Sequence, residues 1–281
     1  MNALNADLHC HSTASDGTLA PADVVRRAHA NGVDLLALTD HDELLGIAEA
    51  AAEAADLGLR FVPGVEISVS WLDQTLHIVG LGVDPANEAL AAGLAKVRGG
   101  RDGRAMLIGE ELARIGIHGA FEGALRYVGN PALVTRAHFA RYLVEIGVAK
   151  NVHDVFLHYL ARGKPGYVEH VWATLEDALG WIKGAGGLAV IAHPARYKLT
   201  ANEEYALFSE FKAHGGQGVE VVTGSHSAAE YVTYGAMAHE FGLAASRGSD
   251  FHSPEESYTD LGKLPFLPDT LTPVWELLEH R

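Results

Sequence analysis

The sequence has a single cysteine, Cys10, so no disulfide can form within the chain, as is typical of proteins from a reducing compartment. It is poor in basic residues, with 21 lysines and arginines against 36 aspartates and glutamates. The resulting net charge of −15 argues against binding to duplex DNA or to a membrane surface. No apolar run approaches the roughly 18 residues of a membrane span, and the first residues, MNALNADLHC, do not resemble a signal peptide. We therefore expect a cytoplasmic protein.

Short apolar runs alternate with helical patterns along the 281 residues, of which 48% are hydrophobic and 20% charged. Helices are predicted at 21–32, 44–57, 226–241 and 270–280. Strands are predicted at 5–10, 33–39, 60–66, 75–81, 188–192, 218–222 and 243–247. This alternation is typical of parallel strands with helical crossovers, in an open sheet or a barrel. The runs 64–72 and 75–82, separated by Asp73 and Gln74, predict a hairpin inserted in that pattern.

Residues 99–166 break the alternation, because their patterns are helical and contain no convincing strand. Arginine and lysine outnumber aspartate and glutamate in this segment, whereas the rest of the chain is acidic. We expect a body formed by 1–98 and 167–281 that carries 99–166 as a helical insertion, either a lid over the body or a solvated excursion from it.

Two histidines, His9 and His11, lie at the end of the first predicted strand. Since side chains alternate along a strand, they point to one face while Cys10 points to the other, where we expect it to be a small core residue. Two adjacent imidazoles can chelate one metal ion. The alternative is a pair of ordinary polar residues at a strand end.

Further histidines and carboxylates fall at or near the ends of other predicted strands. They are Asp16, His41, Glu66, His77, His193, Asp250 and His252. In a parallel α/β fold these ends form one face, where sites are built, although His77 fits less well because it comes early in its run. With His9 and His11, the set holds six imidazoles and three carboxylates, sufficient for two or three divalent ions. The absence of a thiolate and the mixed donors favour Mn²⁺, Zn²⁺ or Fe²⁺.

The segments DLHCHSTASDG, LTDHD, PGVEIS, IAHP and GSDFH resemble the successive motifs of the PHP (polymerase and histidinol phosphatase) family. The resemblance runs from residue 7 to residue 252 and implies a distorted seven-stranded β/α barrel with up to three metal ions. It implies one ion at His9, His11, Glu66 and Asp250, a second at Glu66, His77 and His193, and a third at Asp16, His41 and His252. Glu66 would bridge the first two.

Within that family, the long insertion and the stretch GVEVVTGSHS are most similar to the nucleoside 3′,5′-bisphosphate phosphatases. The resemblance implies hydrolysis of a 3′-phosphate at a cluster of two or three ions, for which we favour Mn²⁺. The expected mechanism is attack by a metal-bridged hydroxide without a covalent enzyme intermediate. Glu66 and Asp250 are the expected catalytic carboxylates. His226 is a candidate proton shuttle, with an orienting role as the alternative.

Basic residues in the insertion are candidates for binding the non-reacting 5′-phosphate or the ribose, since arginine holds phosphate bidentately. The candidates are Arg101, Asp102, Gly103 and Arg104 in the segment RDGR, then Arg136, Lys164 and, outside the insertion, Arg196. Gly103 would let the backbone approach a substrate closely. The alternative for each arginine is an exposed position on a helix surface.

Four other functions compete with the phosphatase. A 5′→3′ exoribonuclease acting on short 5′-phosphorylated RNA would use the same metals and the same 5′-phosphate pocket. A histidinol phosphate phosphatase is disfavoured, because its substrate would leave the additional arginines without a ligand. A metal-dependent amidohydrolase usually needs a bridging lysine, yet the first lysine in the chain is Lys96. A non-catalytic PHP binding module is disfavoured by the complete ligand set.

Overall fold

Each predicted apolar run contains or overlaps a strand in the computed structural model, which describes residues 4–279. The strands are β1 (Ala6–Asp7), β2 (Leu35–Leu38), β3 (Arg60–Trp71), β4 (Gln74–Leu81), β5 (Leu188–Ile191), β6 (Gly218–Thr223) and β7 (Ala244–Gly248). They lie in chain order across one sheet. The sheet nearly closes, because the Leu8 amide donates to the Arg247 carbonyl and Cys10 bridges to Phe251. The predicted distorted seven-stranded α/β barrel is therefore confirmed.

Strand β4 runs against its neighbours, whereas β1, β2 and β3 are parallel to one another, as are β5, β6 and β7. The predicted hairpin between β3 and β4 is present. Its two-residue turn is Leu72-Asp73, one residue earlier than expected, with Leu72 in the left-handed region at φ 47°. Because β4 is antiparallel, its first half lies where the neighbouring strands end. This direction places His77 at the same end of the barrel as the other candidate ligands.

Helices surround the barrel and follow the local sequence signals. Pro21 begins the first helix, and glycines in the left-handed conformation, Gly58 and Gly242, end the second and the tenth. The helices are α1 (Pro21–Ala30), α2 (Ile47–Leu57), α3 (Glu88–Arg98), α4 (Arg101–Arg114), α5 (Ala120–Leu125), α6 (Arg136–Glu145), α7 (Val152–Val155), α8 (Leu175–Gly184), α9 (Ala201–Ala213), α10 (Ala228–Phe241) and α11 (Val274–Leu278). The helix predicted at 270–280 is shorter, and residues 1–3, 280 and 281 of the predicted ranges lie outside the described residues.

Helices α4 to α7 pack around a hydrophobic core separate from those of the barrel. Its largest buried side chains include Ile108, Leu112, Phe139 and Leu143. A π-helical turn, Phe156–Leu160, continues directly from α7. The helices contact the barrel through buried polar groups, described below. Between residues 4 and 279, none of the helices has both the length and the apolar character needed to cross a bilayer.

Candidate metal centre and substrate cavity

Glu66, in the middle of the long strand β3, lies at the centre of the nine candidate ligands. Its Oε1 is 2.9 Å from Nδ1 of His77 and 3.0 Å from Nε2 of His193, and its Oε2 is 2.9 Å from Nδ1 of His41. His9 and His11 approach the same carboxylate at 3.3 Å each. The structure therefore brings histidines from β4 and from the segments that follow β1, β2 and β5 onto one buried carboxylate.

Three overlapping groups of these residues each place one donor atom per residue within 4.8 Å of the others. The first group, His9, His11, Glu66 and Asp250, is the set expected for the first ion. The second is His41, Glu66 and His77, in which His41 stands where His193 was expected. The third, His11, Asp16, His41 and His252, contains the expected third set together with His11. His193 is in none of the three groups, although it contacts Glu66.

The candidate ligands fit a bound divalent cation because several of their buried polar atoms have no hydrogen-bond partner among the described residues. Among the described residues, eight buried side-chain nitrogen or oxygen atoms lack a hydrogen bond, and six of these belong to candidate ligands. They are His11 Nδ1, Asp16 Oδ1, His41 Nδ1, Glu66 Oε2, His77 Nδ1 and His193 Nδ1. Such atoms are rare in folded proteins and costly when left unpaired. Imidazole and carboxylate donors suit transition-metal ions.

Glu220 on β6 supports this cluster and was not predicted from the sequence. Its carboxylate accepts from His9 Nδ1 at 2.6 Å and from the His193 backbone amide at 2.6 Å. The first bond directs Nε2 of His9 towards Glu66, since the two ring nitrogens then have different roles. A sequence signal existed, because Glu220 is an acidic residue inside an otherwise apolar buried strand.

Close backbone packing and unusual backbone conformations also shape the centre. A Cβ atom on Gly248 would lie 2.4 Å from Cβ of His9, so only glycine allows β7 to pack there. His193 and Asp250 have φ values of 28° and 56°, in the left-handed region that residues other than glycine rarely adopt. Strained conformations of this kind concentrate at functional sites, where the surrounding structure holds them in place.

The electrostatic environment favours different forms of the candidate histidines near neutral pH. Although burial acts in the opposite direction, Glu220 and Glu66 hold the pKa of His9 well above its ordinary value, and Glu66 and Asp16 raise the pKa of His41 to about 9. These two imidazoles must therefore release a proton when they bind a metal. Burial would raise the pKa of Glu66, but His77, His9 and His41 hold it well below its ordinary value. Burial, together with His252 and His41, lowers the pKa of His11 to about 3. Burial and the nearby Arg196 lower the pKa of His193 to about 4. His11 and His193 are therefore neutral imidazoles, the form that binds metals.

A cavity of about 510 Å³ opens over the cluster and is lined by four of the predicted arginines, Arg101, Arg104, Arg136 and Arg196. Arg101 is buried and forms an ion pair with Asp42, and Arg196 pairs with Asp250. These two guanidinium groups are therefore already neutralised by carboxylates.

Arg104 and Arg136 have no carboxylate partner among residues 4–279. Arg104 Nε donates to the Val168 carbonyl at 3.1 Å, and Arg136 Nη1 donates to the Leu160 carbonyl at 3.2 Å. Burial, then the neighbouring Arg136 and Arg101, lower the pKa of Arg104 to about 9. The cavity therefore holds two cationic groups available to an anion.

Four predicted residues do not reach the cavity. Asp102 and Gly103 are exposed on α4, and Lys164 is exposed in the loop after the π-helical turn. His226 is buried, with its Nε2 accepting from the Ala195 amide and its Nδ1 bonded to the Val221 carbonyl. Because both ring nitrogens bond to the backbone, the alternative orienting role fits these contacts, and the proton shuttle stays a prediction.

The PHP domain model matches residues 7–206 of the chain. The chain is 53% identical, over 277 residues, to a 3′,5′-nucleoside bisphosphate phosphatase from Chromobacterium violaceum, covering 99% of this chain and 97% of that protein. It is 45% identical, over 276 residues, to the 5′-3′ exoribonuclease Rnm from Escherichia coli, covering 98% of this chain and 94% of that protein. A solved structure of a candidate metal-dependent phosphoesterase from Bifidobacterium adolescentis superposes with a TM-score of 0.81 at 28% identity, covering 98% and 94% of the two chains.

Proposed function

Because this chain belongs to the PHP domain family of metal-dependent phosphoesterases, we propose that it hydrolyses the 3′-phosphate of nucleoside 3′,5′-bisphosphates. One observation supports this substrate above others: Arg104 and Arg136, which have no acidic partner in the part of the chain that the structure describes, line the same cavity as the metal donors. A nucleoside 3′,5′-bisphosphate would place its 3′-phosphate at the metal donors and its 5′-phosphate at the two arginines. The relative from C. violaceum, named for this activity, supports the same reaction.

The residues that would hold the ions are the nine candidate ligands, with Glu66 shared between groups and Mn²⁺ as the favoured metal. The bound ions would activate water near neutral pH and neutralise charge on the reacting phosphate. Glu220 orients His9 and the backbone of His193. Arg196 lines the cavity and pairs with Asp250, and it would contact the reacting phosphate when the metal ions bind Asp250.

The 5′-phosphate would bind to Arg104 and Arg136, whose planar guanidinium groups match two phosphate oxygens at once. Arg101 would act indirectly, since its ion pair with Asp42 joins helix α4 to the segment that carries His41. The cavity volume of about 510 Å³ is within the range of pockets for small molecules. We therefore propose a mononucleotide as the substrate, in an enzyme of the cytoplasm.

A 5′→3′ exoribonuclease is the second candidate function. The relative from E. coli bears that name, and a second cavity, of about 780 Å³, adjoins the first. The two cavities share five lining residues, namely Val152, His153, Glu256, Ser257 and Tyr258. A short RNA bound by its 5′-phosphate would extend beyond the first cavity, and the second offers it space.

Product analysis separates the two functions. The protein loaded with Mn²⁺ is incubated with adenosine 3′,5′-bisphosphate, with adenosine 3′-monophosphate and with a 5′-phosphorylated RNA trimer. We expect rapid release of AMP and phosphate from the bisphosphate, slower release from the monophosphate, and neither product with Glu66→Ala, which should lose bound metal as well. Mononucleotides from the trimer together with an intact bisphosphate would establish the exoribonuclease instead.

A further inference from the structure

We propose that Arg141, on helix α6, is a positioning residue that holds the metal donors Asp16 and His252 together. The side chain is 6% exposed and makes three bonds. Its Nε and Nη2 each donate to one oxygen of Glu256 at 2.8 Å, and Nη2 also donates to the backbone carbonyl of Asp16 at 2.7 Å. One guanidinium group therefore connects two separate segments of the barrel to the helix.

Each connected segment carries one candidate ligand. Asp16 lies in the loop after β1, and Arg141 Nη2 donates to the backbone carbonyl oxygen of Asp16 itself. Glu256 lies in the turn that begins at His252, where the amide of His252 donates to Ser257 Oγ at 2.8 Å and the amide of Glu256 donates to Ser253 Oγ at 2.9 Å. These hydrogen bonds hold residues 252–257 in one turn, so the position of Glu256 constrains the position of His252.

The two donors face each other at the point that Arg141 connects. His252 Nε2 is 3.4 Å from Asp16 Oδ1, and both belong to the group that contains His11 and His41. Arg141 differs from Arg104 and Arg136 because a carboxylate and a backbone carbonyl accept hydrogen bonds from its Nε and Nη2, although it also lines the second cavity. The arrangement makes the affinity of one metal group depend on a helix outside the barrel strands.

This inference rests on the proposed metal binding, and it predicts a specific loss. Partners that orient metal ligands typically contribute 10- to 100-fold in metal affinity. We therefore expect Arg141→Gln to weaken Mn²⁺ binding by roughly that factor at the group containing Asp16, and to leave the ions bound elsewhere unchanged. Arg141→Lys, which keeps the charge and can reach one acceptor, should recover part of the affinity.

The experiment measures Mn²⁺ binding to the purified full chain by equilibrium dialysis, without any assay of activity. It compares the wild type with Arg141→Gln, Arg141→Lys, Asp16→Asn and the double variant Arg141→Gln/Asp16→Asn. The matched control is Arg114→Gln, which removes an exposed arginine from helix α4 that pairs with Glu111. We expect the double variant to bind Mn²⁺ as Asp16→Asn does alone, because both changes affect the same ion.

Three outcomes would overturn the inference, and two of them would leave the proposed function intact. Wild-type affinity in Arg141→Gln, or a further loss in the double variant, would show that Arg141 does not act through Asp16, and the proposed function would stand. Unchanged Mn²⁺ binding in Asp16→Asn would remove Asp16 from the ligands, and the metal set would fail together with the inference. If Arg141→Gln does not fold, Glu256→Gln tests the same bridge with the arginine retained and should also weaken the same ion.

Discussion

Replacing Arg136 with glutamine tests the site proposed for the 5′-phosphate. Its guanidinium group lines the cavity and donates to the Leu160 carbonyl, while the rings of Phe156 and Tyr167 lie 5.7 and 5.9 Å away. A hydrogen bond to a charged group contributes about 1.5–3 kcal/mol. Since about 1.4 kcal/mol corresponds to a factor of ten, kcat/KM for the bisphosphate should fall roughly 10- to 150-fold.

The assay is steady-state phosphate release from adenosine 3′,5′-bisphosphate and from adenosine 3′-monophosphate. The loss should appear with the first substrate and not with the second, because the monophosphate has no group for Arg136 to bind. Arg126→Gln is the matched control, since it removes an exposed arginine of the same region that pairs with Glu145. An equal loss with both substrates, or no loss with either, would refute the assignment of Arg136 to the 5′-phosphate.

Three further substitutions test the supporting structure. Glu220→Gln should weaken Mn²⁺ binding roughly 10- to 100-fold, measured by metal titration, because His9 loses the anionic acceptor of its Nδ1 proton; unchanged affinity would contradict this. Gly248→Ala should lower both metal content and melting temperature, since the new Cβ would lie 2.4 Å from Cβ of His9; a normal metal content would show that the strand can move. Burial lowers the pKa of His138 to about 4. Between about pH 6.5 and pH 4, His138 is therefore protonated in the unfolded chain but neutral in the folded chain, so the free energy of unfolding decreases as the pH falls through this range. His138→Gln keeps the bond pattern at the start of α6 and should flatten that fall in chemical denaturation at several pH values, whereas an unchanged slope would exclude His138 as its source.

The candidate ligands were predictable because each lies in or near a short apolar run, and such runs form strands. The hairpin that reverses the chain into β4 was predicted as well, although its turn begins one residue earlier, at Leu72. His77 fitted the expectation of parallel strands less well because it comes early in its run, and the antiparallel direction of β4 explains its position 2.9 Å from Glu66. His41 takes the place expected for His193 beside Glu66 and His77 because of the directions of their side chains, which the spacing of residues in the sequence does not reveal.

The segment RDGR shows why the substrate side was harder to predict than the metal side. Because Gly103 was expected to let the backbone approach a substrate closely, Asp102 and Gly103 were candidates along with the two arginines. In the structure it begins helix α4, so residues three apart share a face and the two between them point elsewhere. Arg101 and Arg104 therefore enter the cavity together, and the pairing of Arg101 with Asp42 follows from tertiary packing.

Arg104 and Arg136, which have no carboxylate partner among the described residues, also predict how the folded chain responds to an anion. Burial lowers the pKa of Arg104 and of Arg136, which means that their charged forms are less favourable in the folded state than in water. A phosphate that binds only the folded chain would stabilise it by about 2.7 kcal/mol at 100 times its dissociation constant, which raises the melting temperature by several degrees at this size. In the presence of chelator, inorganic phosphate should raise the melting temperature of the wild type more than that of Arg136→Gln. An equal rise in both would place the bound anion elsewhere.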